Sequence, residues 1–120
     1  MQSLALFKCL SDPQRVRILA LLLRGPLCVC HFMEILGADQ VKVSKQMRYM
    51  KELGLVAGER VAQWMVYRLC DPQDPVLLAN LQALEATKDG ALPFDDDRSV
   101  RSEIVERMAC EGAPCAAALI

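Results

Sequence analysis

QVKVSKQMRYMKELGLVAGERVAQWMVYRL, residues 40–69, changes its periodicity halfway along, and that change decides the fold. In residues 40–53, Val43, Met47 and Met50 fall at i, i+4 and i+7, with Val41 and Leu53 beside them. Lys42, Ser44, Lys45, Arg48 and Lys51 mostly fall away from that stripe. This is the pattern of an amphipathic helix, and Gly54 suits its stop. Beyond it, Leu55–Arg60 and Gln63–Leu69 alternate or cluster in β-favouring residues around a short turn, which predicts a small hairpin.

Working back toward the N-terminus, Leu4, Leu6, Phe7 and Leu10 predict a first helix. SDPQRVRILALLLRG, residues 11–25, predicts a second. Ser11 or Asp12 can cap it, Pro13 suits its first turn and Gly25 suits its end. Pro26 restarts the chain, and residues 28–36 read as a third helix ending at Gly37. Helices leading into a helix that ends in a hairpin give a mainly α chain of winged helix-turn-helix order. Its fourth helix, 40–53, is then the DNA reader.

The charge distribution agrees with that reading. The net charge is −1 over 120 residues, which alone argues against nucleic acid. Residues 40–68 nevertheless carry six basic residues against Glu52 and Glu59, whereas residues 85–111 carry eight acidic against four basic. A basic middle can meet phosphate while an acidic end sets the average. The polar face of the reader offers Lys42, Ser44, Lys45, Gln46, Arg48 and Tyr49. Gln46 can read adenine bidentately, lysine or arginine can read guanine, and Ser44 suits a phosphate. The hairpin adds Arg60 and Gln63 as wing contacts, while Trp64 and Tyr67 read as packing residues.

Downstream, VLLANLQALEAT, residues 76–87, is a leucine-rich helix with Val76, Leu77, Leu81 and Leu84 on one face, which predicts a partner chain. DGALPFDDD, residues 89–97, reads as an acidic linker. Val100, Ile104, Val105 and Met108 predict a last short helix before a tail carrying Cys110 and Cys115. The expected organisation is a DNA-binding and dimerisation domain over 1–90, then linker, short helix and tail over 91–120. The longest apolar run, Ile18–Leu23, is far short of the roughly 20 residues that span a bilayer. With no charged-then-apolar leader, the expected location is cytoplasmic.

Six cysteines in a chain of this length, without a leader, point to ligand binding or redox chemistry rather than disulfides. Cys28 and Cys30 stand at the start of the third helix, where free N–H groups and the positive dipole end favour thiolate. Thiolates select soft ions and metalloids. Positions i and i+2 of a helix point about 200° apart, so gripping one ion with both is expected to unwind the first turn. Cys9, Cys110 and Cys115 are candidates for a third ligand. A monomethylated trivalent arsenical needs none, because it has only two open positions. Cys70 reads as structural, the lone His31 as a surface or supporting residue, and the methionines at 47 and 50 as core. Cys9 and Arg15 fit a C-x5-R spacing, but a helix precedes them, no glycine relaxes the loop and Pro13 removes a donor. An enzyme is therefore not expected.

LSDPQRVRILALL (10–22), LCVCHFMEIL (27–36), VSKQMRYMKELGLV (43–56) and WMVYRL (64–69) resemble the ArsR/SmtB family of winged-helix repressors, and most closely its arsenic-responsive branch. The resemblance spans roughly residues 4–88. It implies a homodimer, formed through residues 1–10 and 76–87, that binds palindromic double-stranded operator DNA. It further implies that trivalent arsenic, as arsenite or methylarsenite, binds cysteine thiolates and releases the DNA. Cys28, Cys30, Cys110 and Cys115 are then the expected ligands. The same fold sensing another soft ion or thiol oxidation is the alternative. The family pattern often has a third cysteine where Met33 stands here, and an acidic residue where His31 stands.

Overall fold

A computed structural model describes residues 3–71, 73–87 and 92–111. Asp12 opens the second helix as expected: its carboxylate accepts from the Gln14 N–H at 2.8 Å, and Pro13 follows at the first helical position. The elements in order are α1 (Ser3–Cys9), α2 (Pro13–Leu22), β1 (Leu27–Cys28), α3 (Val29–Leu36), α4 (Gln40–Glu52), β2 (Val56–Val61), β3 (Trp64–Leu69), α5 (Pro75–Thr87) and α6 (Phe94–Glu111). Gly37 ends α3 at φ +63, a left-handed cap that costs glycine no Cβ clash. Asp39 then caps α4 by accepting from the Lys42 N–H at 2.8 Å.

The two wing strands form the expected hairpin, pairing from Val56↔Leu69 to Val61↔Trp64. A third strand, β1, joins on the other edge of β3, with Leu27 opposite Tyr67 and Cys28 opposite Val66. The sheet is therefore three-stranded, in the order β1-β3-β2. At Gly58 an added Cβ would meet the Tyr67 ring at 2.8 Å, so the missing side chain is what lets that ring lie across the strand.

One hydrophobic cluster holds the fold together. Leu6 and Cys9 of α1, Ile18 and Leu19 of α2, Phe32 of α3, and Val43, Met47 and Met50 of α4 are all fully buried in it. Leu77 and Leu81 join from α5, so part of the leucine face predicted for a partner is turned into the chain's own core. Leu84 on α5 stays exposed, as do Leu4 and Phe7 on α1.

The predicted acidic linker differs from the structure. Helix α6 begins at Phe94, and Asp95, Asp96 and Asp97 form its first turn, where carboxylates oppose the positive end of the helix dipole. Asp97 is buried and takes both Nε and a terminal nitrogen of Arg17, each at 2.9 Å. Ile104 and Met108 enter the common core. Arg107 pairs with Glu34 of α3 at 2.9 Å. The last helix is thus eighteen residues long and braces α2 and α3. No helix among the described residues is long and apolar enough to cross a membrane.

Candidate thiolate cleft and DNA-reading face

Pairing with Val66 holds Cys28 in an extended conformation (φ −81, ψ 157), so it is the N-cap of α3 rather than part of its first turn. This corrects the expectation of two helical cysteines pointing apart. Because only Cys30 is helical, the two sulfurs and a His31 nitrogen all lie within 4.8 Å of one another while α3 stays intact. Gripping one ion does not require the first turn to unwind.

His31 is buried, not on the surface. Its Nδ1 accepts from the Cys28 backbone N–H at 3.2 Å, while the Cys28 sulfur stands over the His31 N–H, as in a capping box. Burial pushes the imidazole below its ordinary pKa. Glu34 pulls it back up, and the Arg107 and Arg101 guanidiniums add to the fall. The hydrogen bond at Nδ1 and the burial together favour the neutral ring.

The cysteines open onto a cleft of about 400 Å3 between α3, α4 and the hairpin. Cys28 is 1% exposed and forms its floor, whereas Cys30 is exposed at its edge. Met33, Trp64 and Tyr67 supply apolar wall, and Gln40, Ser44, Arg60 and Gln63 supply polar wall. Trp64 carries an indole N–H that is buried and has no acceptor among the described residues.

The other candidate ligands lie apart. Cys9 is fully buried and outside the Cys28–Cys30–His31 cluster, and burial pushes its thiol up despite the nearby Arg15. Cys110 lies on α6. That helix passes Pro26, to which Arg101 donates at 3.4 Å, before Arg107 reaches Glu34 near the far end of α3. Chain direction therefore carries α6 away from the end of α3 that bears Cys28 and Cys30. The Cys110 side chain and all of Cys115 lie outside the described residues.

The predicted DNA residues separate into three sets. Lys42, Lys45 and Arg48 are exposed on α4, and Arg60 and Gln63 are exposed on the hairpin. Ser44 is half-buried and lines the thiolate cleft. Gln46 and Tyr49 are turned toward α2. The Gln46 carboxamide accepts from Arg15 at 3.2 Å and donates to Gln14 at 3.2 Å and Asp12 at 3.4 Å. Tyr49 lies under the Arg15 guanidinium at 4.4 Å. Val41, read from the sequence as flanking the core stripe, is 63% exposed beside Lys45 and Arg48. An apolar side chain there suits a thymine methyl. Its half-turn offset from the core stripe is the signal that could have found it.

Residues 12–57 match the model of the family described as "Bacterial regulatory protein, arsR family". The arsenic resistance transcriptional regulator ArsR2 of Pseudomonas putida is 36% identical over 107 residues, covering 82% of this chain and 92% of that one. ArsR1 of the same organism is 41% identical over 64 residues, covering 52% of this chain and half of the relative. The crystal structure of the AntR antimony-specific transcriptional repressor superposes with a TM-score of 0.64 at 28% identity, over 74% of this chain and 78% of that one. These are transcriptional regulators rather than enzymes. The chain belongs to the arsR family of bacterial regulatory proteins.

Proposed function

We propose that this repressor binds operator DNA as a homodimer and releases it when trivalent arsenic, as arsenite or methylarsenite, bonds to Cys28 and Cys30. The observation that carries the reading is the pair of sulfurs within 4.8 Å in a cleft walled by Gln40 and Ser44 of α4 and by Arg60 and Gln63 of the wing. The relatives named for arsenic resistance support the same ligand.

Exposed Cys30 meets the arsenical first, and Cys28 closes the second bond. Each thiol gives its proton to an arsenic-bound hydroxyl, which leaves as water, and no redox change occurs. The occupied cleft shares walls with the reader and the wing, so occupancy changes how those two surfaces sit against DNA. A coupling of about 1–3 kcal/mol is typical of such linked sites. In this reading Lys45 and Arg48 enter the major groove with Val41, while Lys42, Ser44, Arg60 and Gln63 hold phosphate. Gln46 and Tyr49 fix α4 to α2. Residues 1–90 carry DNA binding and dimerisation, the latter through 1–10 and 76–87, and α6 within 91–120 braces them. Cys110 and Cys115 are dispensable.

Operator-release titrations test this. Cys28→Ser and Cys30→Ser are expected to bind operator normally and to lose release by arsenite, and normal release by both would overturn the site. Truncation before Cys110 is expected to leave release intact. A second reading has one observation behind it: His31 adds a nitrogen to the two sulfurs, a donor set that suits zinc or cadmium with one position open. Release by cadmium, lost in His31→Ala while arsenite release persists, would establish it.

A further inference from the structure

We infer that the cleft beside Cys28 and Cys30 is a subsite for the organic substituent of a mono-substituted trivalent arsenical, large enough for an aromatic ring. The inference rests on the reading that these two cysteines bind trivalent arsenic.

An arsenical bonded to two thiolates has one substituent left, and the open space beside this pair is the cleft. Its volume of about 400 Å3 compares with the roughly 150 Å3 of a protein cavity that holds benzene. The wall next to the sulfurs is Met33, Trp64 and Tyr67, two aromatic faces and a polarizable thioether. Such groups gain from contact with a ring, beyond the area they bury. The Trp64 indole N–H, buried without an acceptor among the described residues, is a second and independent sign. A buried donor of this kind is uncommon in a finished core, and a ligand with a polar ring substituent would satisfy it. Met33 itself stands where a third sulfur would compete for arsenic, so this chain leaves that valence to the substituent.

The binding step balances without an oxidant. An aryl arsenic dihydroxide exchanges its two hydroxyls for the sulfurs of Cys28 and Cys30, two As–O bonds break, two As–S bonds form and two waters leave. The As–C bond and the trivalent state are untouched. An inorganic arsenite bound to the same pair keeps a hydroxyl in the cleft and leaves the apolar wall wet.

Trp64 is the chain's sole tryptophan, so its fluorescence reports the cleft directly. The probes are inorganic arsenite, methylarsenite and phenylarsenite, titrated into the full chain and, separately, into the operator complex. Phenylarsenite is expected to bind and to release DNA at a concentration about tenfold or more below arsenite, with methylarsenite between them and a larger change in Trp64 emission for the aryl compound. Met33→Trp, read by operator release rather than fluorescence, is expected to fill the cleft, to erase the preference for phenylarsenite and to leave the arsenite response in place. Equal or weaker response to phenylarsenite, or a preference that survives Met33→Trp, would overturn the subsite while leaving the thiolate reading intact. No response to any of the three would overturn both.

Discussion

Cys28 and Cys30 are two positions apart but differ almost completely in exposure, and the difference comes from the backbone. A two-residue strand pins Cys28 to Val66, while Cys30 sits on the first turn of α3. Reading the chain as a helix from residue 28 placed the pair correctly but misjudged its geometry. A strand of two residues has no alternation to detect, and its partner lies far along the chain. His31 was legible only as a histidine in a helix; its burial depends on α6, whose Arg101 and Arg107 face it. At Cys9 burial raises the thiol above its ordinary value of 9.0. The unfolded chain therefore loses this proton first as pH rises. Stability from this group is complete below pH 9 and falls from there toward the higher folded value. Urea unfolding of Cys9→Ala is expected to show a flatter decline above pH 9 than the parent. Alkylation at neutral pH followed by mass spectrometry is expected to label Cys30 well before Cys9.

The helices and hairpin of residues 13–69 were legible because each carries a full period of apolar residues and a cap or turn to end it. Helix α6 was read short, since Pro93 and three aspartates look like a linker until Arg17 is seen taking Asp97. That contact joins residues eighty positions apart. Asp97→Ala leaves the Arg17 guanidinium half-buried without its partner, and a loss of about 2–3 kcal/mol is expected in urea unfolding. Asp96→Ala, on the same turn but without that partner, is expected to cost no more than about 0.5 kcal/mol. In the hairpin, Ala62 holds φ +55 at the tip, a conformation that favours glycine. Ala62→Gly is expected to be neutral or to stabilise by on the order of 0.5 kcal/mol. Gly58→Ala must displace the Tyr67 ring, at a cost of about 1 kcal/mol, and the shift is expected to alter the thiolate cleft that Tyr67 lines.

At the scale of the whole molecule, charge and apolar surface set how the chain meets its partners. The basic side chains of α4 and the wing lie on a chain of net charge −1, so attraction to DNA is local rather than general. Leu4 is 80% exposed on α1, Phe7 49%, and Leu84 37% on α5, all within the two segments expected to pair. If those segments join two copies, two readers address half-sites about 34 Å apart. A variant such as Leu4→Glu with Leu84→Glu places charge at that contact without touching the buried core. Sedimentation is expected to show monomer, and far-UV circular dichroism an unchanged helix content. Operator affinity is then expected to fall and the slope of log K against log salt to drop by about half, because one protomer's phosphate contacts are lost. Lys45→Ala acts differently: the dimer persists, affinity weakens, and if Lys45 neutralises a phosphate in each half-site the salt slope drops by about 2 per dimer. A double variant that stays dimeric at micromolar concentration would move the interface away from α1 and α5, whereas a monomer that keeps the full salt slope would show that one protomer makes all the phosphate contacts.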